Sequence, residues 1–426
     1  MHTDEFVEVD VENVAAGGWC VARHRFPDEE RPRVIFVRHT LPGERVRVHI
    51  TEETSRFLRG DAVEVLKASP DRVTPPCPYA GPERCGGCDW QHVDLAAQRR
   101  LKADVVREQF ARLAGLARDV VVEELPDTPG GLGWRTRVQF AVTSSGAVGL
   151  RKHRSHDVQK VDACLIAHPR VEELGVERHG WKATTAVEAI AGTRDRAVVV
   201  TPRQGARPTV PELDGSTAVL ARDRKSNQVT KVRGRGAVRE HAVGREWRVS
   251  GNGFWQVHPA AADVLTGAVL DALAPAEGET VLDLYCGVGL FAGALAEQVG
   301  ESGRVVGVES DAGAVRDARH NLRDLPQVAV ERGRAETTLP RLDVDRADVV
   351  VLDPPRSGAG PEVVEQIVAR RPRAIAYVSC DPATLARDVA TAAEHGYELA
   401  NLRAFDAFPM TQHVELLATL VPAARP

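Results

Sequence analysis

TVLDLYCGVGLFAG, residues 280–293, runs from an apolar strand through two glycines into an Ala-rich helical segment. A strand that is apolar throughout suits a sheet covered on both faces. The glycines let backbone N–H groups approach a ligand where the next helix begins. Outward from this stretch the alternation repeats in RVVGVES (304–310), AGAVRDARHNL (312–322), ADVVVLDPP (347–355), PEVVEQIVARR (361–371), AIAYVSC (374–380) and a helix from Ala383. Strands alternating with helices predict a doubly wound parallel sheet.

The glycine loop departs from G-x-G-x-x-G: Gly287 and Gly289 are followed by Ala292, with Gly293 one residue late. The next strand ends in Glu309, 20 residues past Gly289, placed to accept hydrogen bonds from ribose hydroxyls. NAD and S-adenosylmethionine both satisfy this much. Asp283, at the end of the strand before the loop, favours S-adenosylmethionine.

The strand AIAYVS delivers Cys380, and Asp381-Pro382 then supplies an N-cap and a first-turn proline. A thiol at a helix N-terminus is expected to have a lowered pKa. It also lies on the carboxyl edge of the sheet, where open α/β folds bind ligands. A lone thiol is more often a buried structural one. Here the adjacent strand ends in Asp353-Pro354-Pro355-Arg356, so polar groups converge on one edge. His413-Val414-Glu415 opens the last strand pattern with a carboxylate, which alone would read as a simple edge residue.

Residues 5–67 alternate as short β segments with a Pro42-Gly43 turn and predict a small β-barrel. Residues 71–92 break that pattern with Pro, Gly and three Cys, and Leu95–Ala117 has helical spacing with Gly115 suited to a C-cap. From about Trp134 to Arg245 mixed short strands indicate an α+β unit. Cys77, Cys85 and Cys88 are spaced C-x7-C-x2-C, with Cys164 far downstream. Four thiols suit zinc or an iron–sulfur cluster, and three clustered with a distant fourth favour [4Fe–4S]. Cys20 and Cys286 read as structural thiols. The formal net charge is −5, yet residues 131–245 hold 21 Lys and Arg against 11 Asp and Glu. That asymmetry points to a local polyanion contact. No apolar run reaches the ~18–20 residues of a membrane helix, and the acidic start lacks an apolar signal region. A cytoplasmic monomer is expected, in which disulfides are disfavoured.

Together these motifs resemble the bacterial RNA 5-methyluridine methyltransferases, in particular the 23S rRNA type with an N-terminal TRAM domain. VARH and TLPGERVRV look like TRAM, and CPYAGPERCGGCDWQH looks like the family's iron–sulfur segment. FWQVHP, DLYCGVGLF, GVES, LDPPRSG, YVSCDPATLARD and FPMTQHVE resemble its catalytic motifs in order. The resemblance implies an OB-like barrel over 1–70 and a central α+β iron–sulfur and RNA-binding domain over 71–92 and 125–245. It implies a Rossmann-like methyltransferase domain over 93–124 and 246–426. It makes Cys380 the nucleophile, Glu415 the general base, and Gln256, Tyr285, Glu309 and Asp353 the S-adenosylmethionine contacts. Cys77, Cys85, Cys88 and Cys164 would be the cluster ligands. The implied partner is RNA, 23S rRNA with tRNA as alternative, and no membrane. Two departures stand: Leu290 replaces an Asn often seen there, and the first cysteine gap is long. An exocyclic-amine methyltransferase would have no need of Cys380. A non-catalytic iron–sulfur RNA binder would have no use for Glu309, Cys380 and Glu415 together.

Overall fold

The computed structural model describes residues 2–424 apart from 28, 208 and 252. The first five strands, β1 (Phe6–Ala15), β2 (Trp19–His24), β3 (Arg33–Arg38), β4 (Arg45–Glu53) and β5 (Leu58–Lys67), close into a barrel in the order β1-β2-β3-β5-β4. Alternation builds it: Val7, Val9 and Val11 fill the interior while Glu8 and Asp10 face water. Helix α1 (Leu95–Ala114) is capped by Asp94, which accepts from the N–H groups of Ala96 and Ala97. It ends three residues before the predicted Ala117, because Gly115 turns left-handed at φ 67°. Strand β6 (Val122–Glu124) then leaves this region for the far sheet.

The α+β region is a seven-stranded sheet. Its strands are β7 (Arg137–Val142), β8 (Val148–Arg151), β9 (Val158–Lys160), β10 (Thr184–Ala191), β11 (Arg196–Pro202), β12 (Ala218–Arg222) and β13 (Val229–Arg233), with a short helix α2 (Pro169–Glu172). The order is β13-β12-β11-β10-β7-β8-β9. A hairpin of β14 (Ala237–Ala242) and β15 (Arg245–Ser250) follows. The domain boundary expected at 245 would cut it. The hairpin stays whole because Trp247, fully buried, belongs to the core of the next sheet.

That sheet has eight strands. The segments in chain order are α3 (Ala261–Leu273), β16 (Thr280–Leu284), α4 (Leu290–Val299), β17 (Arg304–Glu309), α5 (Ala312–Asn321), β18 (Val328–Arg332) and α6 (Ala335–Thr338). They continue with β19 (Val349–Leu352), α7 (Pro361–Ala369), β20 (Ala374–Ser379), α8 (Pro382–Glu394), β21 (Tyr397–Asp406) and β22 (Glu415–Pro422). The strand order is β18-β17-β16-β19-β20-β22-β21-β6. Strands β16 to β20 pair in parallel and β22 runs antiparallel to both of its neighbours. Apolar clusters cover both faces, as the uninterrupted strands require. Strand β6 pairs parallel with β21 as the edge strand, and α1 packs on α8. Among the described residues no helix is long and apolar enough to cross a membrane.

The late glycine of the loop has a packing cause. A Cβ on Gly293 would lie 2.7 Å from Trp247 Cη2 and 2.9 Å from Leu322 Cδ2. The hairpin is thus pinned to α4 by the absence of one methyl group. Trp247→Ala should lower the stability of this unit by about 3–5 kcal/mol, read as an earlier unfolding transition in denaturant that leaves the barrel's transition in place.

Candidate active site

Strand register sets the site. Leu284 pairs with Val308 on one side and with Leu352 on the other, so Tyr285, Glu309 and Asp353 all lie one residue beyond the same row. Ser379 pairs with Leu416 across the antiparallel ladder, which brings Cys380 opposite Glu415. These five residues and Gln256 line one cleft of 1230 Å³. The structure therefore brings together every residue nominated from the sequence for catalysis and cofactor contact. The cleft is larger than the ~300–1,000 Å³ of ordinary small-molecule pockets.

The cofactor side is built from backbone. Glu309 accepts from Gly287 N–H (3.1 Å) and Asp311 N–H (2.7 Å), fixing its carboxylate at the mouth of the glycine loop. Gly287 and Gly289 hold φ 55° and 92°, and a Cβ on Gly289 would sit 2.6 Å from Leu322 Cδ1. Tyr285 is also left-handed at φ 61°, a costly state for a bulky residue. Asp283 is buried, accepts from Ala292 N–H (2.8 Å), and leaves its Oδ1 without a partner among the described residues. Asp283 lies behind the loop, while Gly287 and the Glu309 carboxylate face the cleft and supply the donor and acceptor that fit the ribose side of an adenosyl cofactor.

The reacting side is crowded with carboxylates. Burial pushes Asp353 up from 3.8 to about 7. Burial and the neighbouring Asp353 push Glu415 well above its ordinary range, with Arg356 opposing. The expectation of a lowered thiol pKa at Cys380 is overturned. Burial raises it, Glu415 and Asp353 raise it further, and Arg356 pulls against them. The helix N-terminus is present: Asp381 accepts from Ala383 N–H (3.0 Å) and Thr384 N–H (2.9 Å). Its field is outweighed by desolvation and two acidic neighbours.

Sequence reasoning missed several lining groups. Arg356 Nη2 lies 3.3 Å from His413 Nε2, and burial holds His413 down near 4, hence neutral. Both stand in motifs already quoted, beside Asp353 and Glu415, and adjacency was the available signal. Phe254, 68% exposed, and Arg135 stand at the cleft as well. Asp388 holds the loop after Asp353, accepting from Tyr377 OH (2.5 Å) and Ala359 N–H (2.9 Å).

The four cysteines of the expected cluster share one neighbourhood. The Cys88 thiol, pushed up by burial, is raised further by Cys164, Cys85 and Cys77. All seven cysteines are free. Yet among the described residues no three His, Cys, Asp or Glu side chains are arranged to hold a metal ion. The [4Fe–4S] site expected from spacing is therefore not seen as a coordination geometry among the described residues, where all four thiols are half-buried. Of the basic stretch, Arg222 is paired with Glu188 (2.6 Å) and Arg239 with Asp195 (2.8 Å). Arg224, Lys225 and Lys231 remain exposed near β13. Trp181 and Trp247 are core residues, while Arg38, Arg59 and Arg154 gather 5.5, 5.6 and 5.7 Å from the Trp19 ring of the barrel.

A family profile described as tRNA (Uracil-5-)-methyltransferase matches residues 237–421, and a TRAM domain profile matches residues 5–63. The chain is 52% identical to an RNA methyltransferase of Streptomyces avermitilis over 99% of both chains. It is 37% identical to an RNA methyltransferase of Bifidobacterium longum, covering 96% of this chain and 95% of the relative. Its fold is similar to the crystal structure of Pyrococcus abyssi tRNA (uracil-54, C5)-methyltransferase in complex with S-adenosyl-L-homocysteine. There the TM-score is 0.72 and the identity 24%, over 97% of this chain and 100% of that one.

The carboxylate crowding has a pH signature. Asp353 keeps its proton to about pH 7 when folded, whereas an unfolded aspartate loses it near ~4. Between those values the native state binds more protons, so the stability of the free protein should fall as pH rises through that window. Melting curves across pH should show this slope in the wild type and a shallower one in Asp353→Asn; equal slopes would refute the assignment.

Proposed function

This chain belongs to the TRAM-bearing RNA (uracil-5-)-methyltransferase family, an S-adenosylmethionine-dependent family, and we propose that it methylates C5 of one uridine through a covalent adduct on Cys380. The observation that carries the proposal is that Cys380 and Glu415, each next to the last β20–β22 pair Ser379–Leu416, line one cleft with Glu309 and Gly287 of the glycine loop. Bound S-adenosylmethionine supplies an electrophilic methyl group and a positive charge.

C5 of uracil is a poor nucleophile. Cys380, once its thiol proton has left for solvent, adds to C6 and makes C5 an enolate-like carbon able to accept a methyl group. Arg356 stands beside the thiol and favours its ionised form. Glu415, in its ionised form, then takes the remaining C5 proton, and the electron pair left behind expels the Cys380 thiolate. In the free cleft burial and Asp353 raise the pKa of Glu415, disfavouring its ionised form, and the thiol pKa is raised. A cation entering the cleft would lower both, coupling activation of the pair to cofactor occupancy. Glu309 and Gly287 would hold the ribose side, with Gln256, Tyr285 and Asp353 completing the cofactor contacts.

We place the target uridine in 23S rRNA, on the strength of the combined barrel and cysteine segment. The tRNA reading is kept as the second, supported by the fold likeness to a tRNA enzyme. Arg224, Lys225 and Lys231 are exposed basic groups open to a phosphate backbone, whereas Arg38 and Arg59 beside Trp19 are already held by Asp61 and Glu52. Mass spectrometry of rRNA and tRNA from a deletion strain, searching for the lost 5-methyluridine, decides between them.

We further propose Cys77, Cys85, Cys88 and Cys164 as ligands of a [4Fe–4S] cluster that staples residues 77–88 to the central sheet. The mutual influence of four thiols from two distant segments supports this. Anaerobically purified protein should carry near-stoichiometric iron and sulfide, and Cys88→Ser should lose both; iron-free wild-type protein would refute it.

Cys380→Ala should abolish methylation and any covalent complex with 5-fluorouridine RNA. Glu415→Gln should instead accumulate covalent enzyme on ordinary RNA, because addition proceeds without elimination. Methylation retained in Cys380→Ala would overturn the mechanism.

A further inference from the structure

The loop between β21 and β22, residues 407–414, carries His413 and leads directly into Glu415. It is gripped from the opposite end of the chain. Trp90 N–H donates to the Met410 carbonyl (3.0 Å), and Met410 N–H donates to Gln98 Oε1 (2.8 Å). Asp89 Oδ2 accepts from Gln412 N–H (3.1 Å). Lys102 Nζ donates to Asp406 Oδ1 (2.5 Å) and to the Phe408 carbonyl (3.1 Å). Gln98 and Lys102 stand one turn apart on α1, so a single helix face delivers both.

Three features show that this grip sets position. Met410 holds φ 67°, a left-handed state that a non-glycine residue keeps only where its surroundings over-determine it. Lys102 is fully buried, and burial lowers its pKa against the opposing pull of Asp406. A buried ion pair is seldom more stabilising than an apolar pair of the same volume. What it adds here is direction, since the ammonium fixes Asp406 and Phe408 at once. The Phe408 ring in turn packs edge-on against His413, with centroids 6.0 Å apart. The contacts therefore run unbroken from α1 to the cleft.

We infer that Lys102 is a positioning residue for Glu415, acting with Asp89 and Gln98 as a clamp on the base-bearing loop. The inference rests on the proposed role of Glu415 as the base. If the clamp sets that carboxylate, loosening it impairs elimination more than cofactor binding or adduct formation.

The test compares Lys102→Met/Asp406→Leu, which replaces the pair by apolar side chains, with Asp89→Ala at a half-buried site and with Glu415→Gln. Each is assayed for S-adenosylmethionine binding by calorimetry, for turnover, and for covalent enzyme on ordinary RNA in denaturing gels. Both clamp variants should bind S-adenosylmethionine as the wild type does, lose about 10- to 100-fold in kcat, and accumulate adduct. Wild-type kcat, or a loss of kcat without adduct, in a folded clamp variant would overturn the inference. If the double variant does not fold, Asp89→Ala decides alone. If Glu415→Gln itself fails to accumulate adduct, the role of Glu415 fails and the clamp falls with it. Adduct in Glu415→Gln but not in the clamp variants overturns the clamp and leaves the proposed function standing.

Discussion

The catalytic arrangement depends on one reversal of direction in a sheet. Five parallel strands stop at a common edge, so the residues that follow them gather there. Were β22 to run the same way, its first residue would lie at the opposite edge, far from Cys380. Because β22 is antiparallel, its first residue, Glu415, begins where the others end. The separation between Cys380 and Glu415 therefore follows from the ladder and from the loop leading into β22.

Putting acids at that edge has an electrostatic consequence. Asp283, Asp353 and Glu415 all sit where desolvation disfavours their charged forms. Arg356 is a cation acting on both Cys380 and Glu415. The free cleft is short of positive charge, and a sulfonium ligand would relieve the shortage. A thiolate exposed without its cofactor would be open to oxidation. The raised pKa of Cys380 disfavours that form in the free cleft.

Much of this was legible in the primary structure. Continuous apolar strands, the Asp381-Pro382 cap and the placement of Glu309 are local signals with local causes, and the chain obeys them. What failed was nonlocal. Glu415 and Asp353 reach Cys380 from other strands, and together with burial they outweigh the field of the one helix terminus visible beside the thiol in sequence. Gly293 looked like a displaced fingerprint glycine, while its neighbour is Trp247 from a hairpin more than forty residues upstream. Cysteine spacing, likewise, does not specify how Cys164 approaches the other three, so the proposed cluster rests on chemistry that the fold does not by itself display. Lys102 interrupts the buried face of α1, and that interruption was the one available hint of its partner.

The Lys102–Asp406 pair joins positions 304 residues apart. At synthesis rates of about 5–20 residues per second, α1 emerges roughly 15–60 s before the strand that completes it. The barrel can close during that interval, since all its partners lie within the first 67 residues. Helix α1 and strand β6 must wait, with a lysine bound for burial still in water. A chain halted before residue 406 has the glycine loop and Cys380 but lacks Glu415. The cleft is thus complete only once β22 has been made.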